Sequence, residues 1–314
     1  MRAPTAMLWT VFALPLLLLT PARARAGAWI LAPGQRATEL RTEAFTADSY
    51  HDLDGNRLPL HGGGLSERRA LVMTSEFGWK PRMSVLLSVP AVNVVRRTGD
   101  GAFERAETGL GDLVFGLRRV IAGGGASVLS IEAALKAPLG YNADLAPRDS
   151  LGRRLTVAGD TASLAVPDVA QLAPTLGIAQ QDAQATLNFG TALFGRAFLD
   201  LAAGYRYRAQ WPADQAIGAA DLGIWIGPSL LVGGRYRGEI AVGEGKSPAD
   251  KIDLHLAGPL LLYRVHDSID LVAGSVHTAS ARNALHFDAV YVSLALKQSG
   301  LHRLQGFLGD SRSR

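Results

Sequence analysis

The chain has 314 residues, 48% of them hydrophobic, with 35 glycines, no cysteine and a formal net charge of +4. The missing cysteines exclude a disulfide scaffold, a thiolate zinc site and a cysteine nucleophile. Three of the four surplus positive charges, Arg2, Arg23 and Arg25, fall within the first 26 residues; the remainder, at +1 and without a basic cluster interleaved with aromatics, is no nucleic-acid binder.

Residues 1–26 have the form of a cleaved signal peptide. Arg2 supplies the positive start, 7–19 are mostly apolar, and Ala24-Arg25-Ala26 presents small residues where a signal peptidase reads. Ala22-Arg23-Ala24 is a second such site. The apolar run is shorter than the roughly 20 residues a spanning helix needs, and no later run of about 18 follows. The exported chain is therefore either soluble or a β-barrel.

Period-two alternation then recurs along the chain, the mark of strands with two distinct faces. Residues 35–50 set Leu40, Thr42, Ala44 and Thr46 against Glu39, Arg41, Glu43 and Phe45. A polar, turn-rich stretch at 51–67 follows. Residues 70–79 set Leu71, Met73, Phe77 and Trp79 against Thr74, Glu76 and Gly78. Lys80-Pro81-Arg82 turns the chain into 84–95, where Val85, Leu87, Val89 and Ala91 share a face. A polar loop at 98–107 precedes the clearest hairpin, 109–140. There Leu113, Phe115, Leu117 and Ile121 oppose Asp112, Gly116 and Arg118. Beyond a glycine turn at 122–126, Leu129, Ile131, Ala133, Leu135 and Ala137 oppose Ser130, Glu132 and Lys136.

Residues 139–177, carrying Pro147, Pro167 and Pro174, read as one long loop. Residues 182–191 set Asp182, Gln184, Thr186 and Asn188 against Ala183, Ala185, Leu187 and Phe189. After Phe194-Gly195-Arg196, Leu199, Leu201, Ala203, Tyr205 and Tyr207 oppose Asp200, Gly204, Arg206 and Arg208. A loop at 209–216 leads to Leu222, Ile224 and Ile226, opposite Asp221 and Gly223. Beyond Gly227-Pro228-Ser229, Val232 and Tyr236 oppose Gly233, Arg235, Arg237 and Glu239. After a polar stretch at 243–251, Leu254, Leu256, Leu260 and Leu262 oppose Asp253 and His255. The last two strands, 269–278 and 287–297, flank a loop at 280–285.

The expected architecture is all-β: one antiparallel transmembrane barrel of about 12 strands. Short turns, on the periplasmic side, alternate with longer extracellular loops, the pattern of outer-membrane barrels. A soluble sandwich would alternate too, but with its apolar face hidden. Aromatics near strand ends (Tyr50, Trp79, Tyr207, Trp211, Tyr263) fit an interfacial girdle, and closure removes exposed edges. The expected organisation is a signal peptide at 1–26, a barrel at 27–297 and a polar tail at 298–314.

Several blocks resemble a proteobacterial outer-membrane family named for the meta-pathway of phenol degradation, whose members are described as transporters. They are Asp52-Leu-Asp-Gly55, Gly109-Leu-Gly-Asp-Leu113 with Arg118-Arg119, and Lys136-Ala-Pro138-Leu-Gly140. Gly204-Tyr-Arg-Tyr-Arg208 with Pro212-Ala-Asp214-Gln215, and Arg282-Asn283, complete the set. Leu139 and Ala281 stand where the family usually has threonine and glycine. The resemblance covers most of the mature chain. It implies the barrel fold, an outer-membrane location, and transport of hydrophobic compounds.

The inward wall is the candidate site. Asp112, Arg118, Glu132, Lys136, Asp182, Asp200, Arg206, Arg208, Arg235, Arg237 and Glu239 are expected to line the lumen. Carboxylates and guanidiniums on neighbouring strands pair and brace the wall, and the same charges can select solutes. Gly243-Glu-Gly245-Lys246-Ser247 fails as a phosphate loop, because Ile240 stands where the leading glycine belongs. Asp52-Leu-Asp54-Gly55 lacks a third acid for calcium and reads as a turn. Ser275, His277 and Ser280 lie close together, and some twelve-stranded barrels are lipases. No partner for His277 is evident, so these are expected to be polar lumen or rim residues. The expected function is a channel or uptake barrel for small compounds, hydrophobic or aromatic ones included. It needs no cofactor or metal and carries no catalytic residue. Its partners are outer-membrane lipid, a small solute and the assembly machinery. The alternative is a structural or lipid-modifying barrel.

Overall fold

The computed structural model describes residues 28–60, 63–97, 99, 104–139, 181–209, 213–243 and 251–298. The expected signal peptide, the loop at 139–177 beyond its first residue, the aromatic Trp211 and the polar tail beyond 298 lie outside them. Among the described residues no helix is long and apolar enough to cross a membrane. The chain is built from strands: β1 (Arg36–His51), β2 (Arg57–Pro59), β3 (Leu65–Lys80), β4 (Met83–Arg97), β5 (Glu104–Leu110), β6 (Asp112–Gly124) and β7 (Ser127–Pro138). There follow β8 (Asp182–Leu193), β9 (Ala197–Arg208), β10 (Gln215–Ile226), β11 (Leu230–Ala241), β12 (Asp253–His266), β13 (Ile269–Arg282) and β14 (Ala284–Gln298).

Sequential strands pair antiparallel, and β14 pairs back onto β1 from Arg36↔Gln298 to His51↔Ala284. The sheet is thus a closed barrel with no free edge. It has twelve staves. β2 is a short adjunct folded back on the top of β1. β5 and β6 are one stave broken at Gly111, whose N–H bonds to the Pro90 carbonyl (2.9 Å). Pro90 has no amide hydrogen, so the β4 ladder skips a residue there, from Ala91↔Leu110 to Ser88↔Val114.

Short turns close one end of the barrel. Gly123 shows why the glycine run is needed: its φ is +94°, and a Cβ there would lie 2.4 Å from the Ser127 carbonyl oxygen. Between Leu193 and Ala197, Phe194 and Gly195 both take positive φ as the two central residues of the turn that Arg196 N–H closes onto the Leu193 carbonyl (3.1 Å). The outer wall exposes Leu71, Phe115, Ile131, Leu135, Leu187, Ile224 and Val290. A wall this apolar is a surface for hydrocarbon, with the charged residues of most staves turned inward.

The structure corrects two expectations and decides a third point that residue order left open. The connection at 280–285 is no loop: β13 runs to Arg282, β14 starts at Ala284, and only Asn283 lies between, at φ +53° and 1% exposed. Its N–H donates to the Asp52 carbonyl (2.9 Å) and its Nδ2 to that of Lys251 (3.3 Å), so neighbouring loops hold the tight reversal. The polar stretch at 98–107 is shorter, because β5 begins at Glu104 and adds its pairs to β4. Finally, the leucine face of β12 points inward. Leu254, Leu256, Leu260 and Leu262 stand opposite Glu239, Arg237, Gly233 and Leu231, while Leu261, Tyr263 and Val265 are exposed outside.

Candidate functional site

The lumen has two chemically different walls. One is ionic and is built from cross-strand neighbours. On β6, Arg118 Nε and Nη2 donate to Glu132 Oε2 of β7 at 2.9 and 2.6 Å, and Nη1 lies 3.7 Å from Glu76 Oε2 of β3. One layer above, Lys136 Nζ bridges Asp112 Oδ2 (3.1 Å) and Asp182 Oδ2 (2.8 Å). On β9, Arg206 donates to Gln184, Gln215 and Glu239 at 3.0 to 3.2 Å, and Arg208 Nη2 reaches Gln215 Oε1 at 2.6 Å. Arg235 and Arg237 of β11 both clasp the Asp221 carboxylate of β10, at 2.6 to 3.2 Å. Asp200 takes the same inward period on β9, between Phe198 and Ala202.

All eleven residues read from the sequence thus lie on the inward period of their strands. Several inward charges were not singled out. Asp221, Glu76, Arg41, Glu43, Arg264, Asp270 and Lys297 join the same belt. Arg41 pairs with Glu43 (2.7 Å), and Asp270 holds both Arg264 (3.0 Å) and Lys297. Period two does mark Asp221 as inward, opposite Leu222 and Ile224. Its role as the shared anchor of two arginines depends on the β10–β11 register, Asp221↔Arg235.

These pairs are half-buried, so desolvation offsets much of their attraction and each contributes modestly to net stability. Their larger consequence is electrostatic. Two arginines on one aspartate leave +1, and one arginine between Glu132 and Glu76 leaves −1. The wall is a mosaic of small local imbalances rather than a uniformly charged ring.

The second wall is apolar. Phe198, Trp225, Leu231, Leu260 and Tyr291 form a buried cluster, with Leu262, Val272 and Val276 packed on it. Trp29 packs against this cluster and also against a second one, formed by Ala28 with Val120 of β6 and Val128 of β7. Residues 28–35 therefore cross the lumen near the short-turn end. The crossing is tied to the opposite staves as well. The Leu31 amide donates to Ser84 Oγ (3.4 Å), Gly34 N–H to the Gly78 carbonyl (2.8 Å), and Gly78 N–H to the Gln35 carbonyl (2.9 Å). Ala28 is 0% and Leu31 4% exposed. Gly78 is demanded by this contact, since a Cβ would sit 2.0 Å from the Ala32 carbonyl oxygen. Sequence reasoning missed the strap. Its one signal is an apolar Ala28-Trp-Ile-Leu31 that precedes the first alternating strand.

The turn reading of residues 52–55 fits the geometry. Asp52 Oδ1 accepts the amides of Asp54 (2.9 Å) and Asn56 (2.8 Å), and Oδ2 accepts Asn56 Nδ2 (3.1 Å). Asn56 thereby holds the Asp52 carboxyl below its ordinary range.

Ser275 and His277 do not face the lumen. They share the outward face of β13 with exposed Leu271, opposite outward Val290 and Asp288 on β14.

No protein-family profile matches the chain, and no characterised protein matches it by sequence. Among solved structures it is similar to an outer-membrane channel from Pseudomonas putida F1: TM-score 0.65, 12% identity, 88% of this chain and 99% of that one. It also aligns with the KdgM porin solved with disordered oligogalacturonate (TM-score 0.45, 7% identity, 84% and 99% of the two chains). A Pseudomonas aeruginosa FadL homologue aligns at TM-score 0.40 and 10% identity, over 84% and 90%. The first likeness shows a shared fold, that of a bacterial outer-membrane barrel; the other two are too distant to bear weight.

Proposed function

We propose that the protein is an outer-membrane channel or uptake barrel for small molecules, hydrophobic or aromatic ones included. In this reading residues 1–26 are removed on export and the assembly machinery inserts the barrel. The carrying observation is the two-sided lumen. Ionic pairs on β6 to β11 lie directly beside the inward leucines of β12, where Leu254 and Leu256 pair with Glu239 and Arg237, and an apolar cluster around Trp225 and Leu260 occupies the lumen nearer the short-turn end. An apolar solute with one polar group can keep its body on the leucines and its polar end on the ionic pairs. The blocks shared with the phenol meta-pathway family favour the aromatic end of that range. The strap at 28–35 narrows the route, so conductance to simple ions should be low. We assign the lumen residues positioning and selectivity, and no catalysis.

The test is reconstitution. Purified barrel in planar bilayers should give discrete, small conductance steps, and proteoliposomes should take up a monocyclic aromatic faster than a sugar of equal size. A folded barrel with neither conductance nor solute flux would count against the proposal.

A further inference from the structure

We propose that Ser275, His277 and Asp288 form an acyl-ester hydrolase site on the outer, lipid-facing wall of the barrel. Ser275 Oγ–H donates to His277 Nε2 at 3.2 Å, and His277 Nδ1–H donates to Asp288 Oδ1 at 2.7 Å. The carboxylate fixes the tautomer that leaves Nε2 free to accept the serine proton. This is the order of nucleophile, base and orienting acid that activates a serine. The i, i+2 spacing on β13 puts serine and histidine on one face, and the register His277↔Asp288 delivers the acid from β14. The serine backbone is held firmly. Gly258 of β12 approaches so closely that a Cβ there would lie 1.9 Å from the Ser275 carbonyl oxygen.

Position points to the substrate. Ser275 and His277 lie six and eight residues along β13 from Ile269 at the short-turn end. At about 3.3 Å per residue and a tilt of about 40°, they stand roughly 15 and 20 Å up the barrel. Beside and below them the outward wall is apolar, with Val290 61%, Val292 56% and Leu271 42% exposed. The side chains of His277 and Asp288 are themselves 56% and 64% exposed. The triad thus sits in the outer-leaflet half of a lipid-facing band about 25 Å tall, where the apolar outward face of β14 gives way from Val292 and Val290 to the exposed Asp288. Polar groups on a lipid-facing wall are costly, which favours a functional reason for the cluster.

A seat for an acyl chain lies beside it. A groove of about 490 Å³ runs over the outer faces of β14, β1, β3 and β4, lined by Thr42, Ala44, Leu71, Ala91, Val290 and Val292. Val290, at its edge, is the cross-strand partner of Ser275. A chain lying in the groove brings its ester to the serine.

The chemistry balances with water as the co-reactant. Ser275 Oγ attacks the ester carbonyl carbon while His277 Nε2 takes the hydroxyl proton. The tetrahedral adduct expels the alcohol oxygen, which receives that proton, and leaves acyl-Ser275. Water, deprotonated by Nε2, then attacks the acyl carbon. Ser275 recovers its proton and a fatty acid is released. Ester sources include a glycerophospholipid and the acylated glucosamine lipid of the outer leaflet.

The experiment uses the full barrel, purified and folded, with an organophosphonate that labels activated serines. Fatty-acid release is measured from phosphatidylethanolamine vesicles and, separately, from lipid A micelles. Wild type should be labelled and should release fatty acid from at least one of the two, which identifies the source. Ser275→Ala and His277→Ala should lower release on the order of 10³-fold or more, and Asp288→Ala should lower it substantially as well. Gel mobility and bilayer conductance of the variants should equal wild type, because the triad lies outside the lumen. Absence of labelling and of release from both lipids overturns the proposal, and so does activity unchanged in Ser275→Ala or His277→Ala. Either result leaves the channel reading standing, since conductance is scored on the same preparations.

Discussion

Replacing Gly78 by valine should expel the strap at 28–35 from the lumen. Added to the position of Gly78, a Cβ would lie 2.0 Å from the Ala32 carbonyl oxygen, 2.7 Å from its carbon and 2.8 Å from the Leu31 oxygen. All three are backbone atoms, so no rotamer change relieves the clash; the strap must move. What it loses can be counted. Withdrawing Leu31 forfeits about 1.5–3 kcal/mol of burial. The two backbone bonds between Gly78 and residues 34 and 35 are worth about 1 kcal/mol each. Together these contacts favour the seated strap by roughly 4 kcal/mol, about 10³-fold, a preference that Gly78→Val removes because the seated strap would have to hold a side-chain carbon 2.0 Å from its backbone. The chain has no cysteine, so Ala28→Cys introduces one unique thiol at a position that is 0% exposed. In the Ala28→Cys background a membrane-impermeant maleimide should react slowly, and adding Gly78→Val should make the reaction fast. Single-channel conductance should rise in parallel. If Gly78→Val leaves both the thiol protected and the conductance unchanged, residues 28–35 do not restrict the lumen.

Other perturbations address the walls. Leu135 is 61% exposed on the outer face, whereas Ser130 is 0% exposed on the inner one. Leu135→Arg should impair insertion into vesicles by up to about 2–4 kcal/mol if the position lies near mid-bilayer, and less toward the interface. Ser130→Asp should be milder, since the position faces the lumen beside Asn188 rather than hydrocarbon; a larger effect at Ser130, read by urea unfolding in vesicles, would put the barrel inside out. Asp221→Asn removes the anchor shared by Arg235 and Arg237 and should turn the lumen toward anions, seen as a shifted reversal potential under a salt gradient. Asn283→Ala should destabilise the barrel by about 1–2 kcal/mol, because it strains a positive φ and leaves the Lys251 carbonyl without its amide donor.

Much of the architecture was legible in residue order. A strand's two faces follow from period two alone, so the split of Leu113, Phe115 and Leu117 from Asp112 and Arg118 needed no neighbour. The number of staves followed from the turns between them. β12 shows the boundary of that logic. Its leucines are greasy and alternate as a lipid face would, yet two of them stand opposite Glu239 and Arg237 and the face points inward. Period two says which residues share a wall; it does not say which wall is wet. The strap escaped notice for a related reason. Ala28 to Leu31 has no alternation, and its partners are spread from Ser84 to Tyr291.

The candidate sites divide the same way. The inward charges were readable because each announces its face through its own strand. That Asp221 serves two arginines, or that Asp288 completes a relay with Ser275 and His277, was not. Residue order alone determined that the chain is a series of two-faced strands joined by alternating short and long connections, because backbone geometry imposes that alternation locally. Closure of β14 on β1 and the register of each ladder decided the rest. Hydrogen bonds between strands, rather than propensities within them, bring Asp288 to His277 and turn the leucines of β12 toward the lumen.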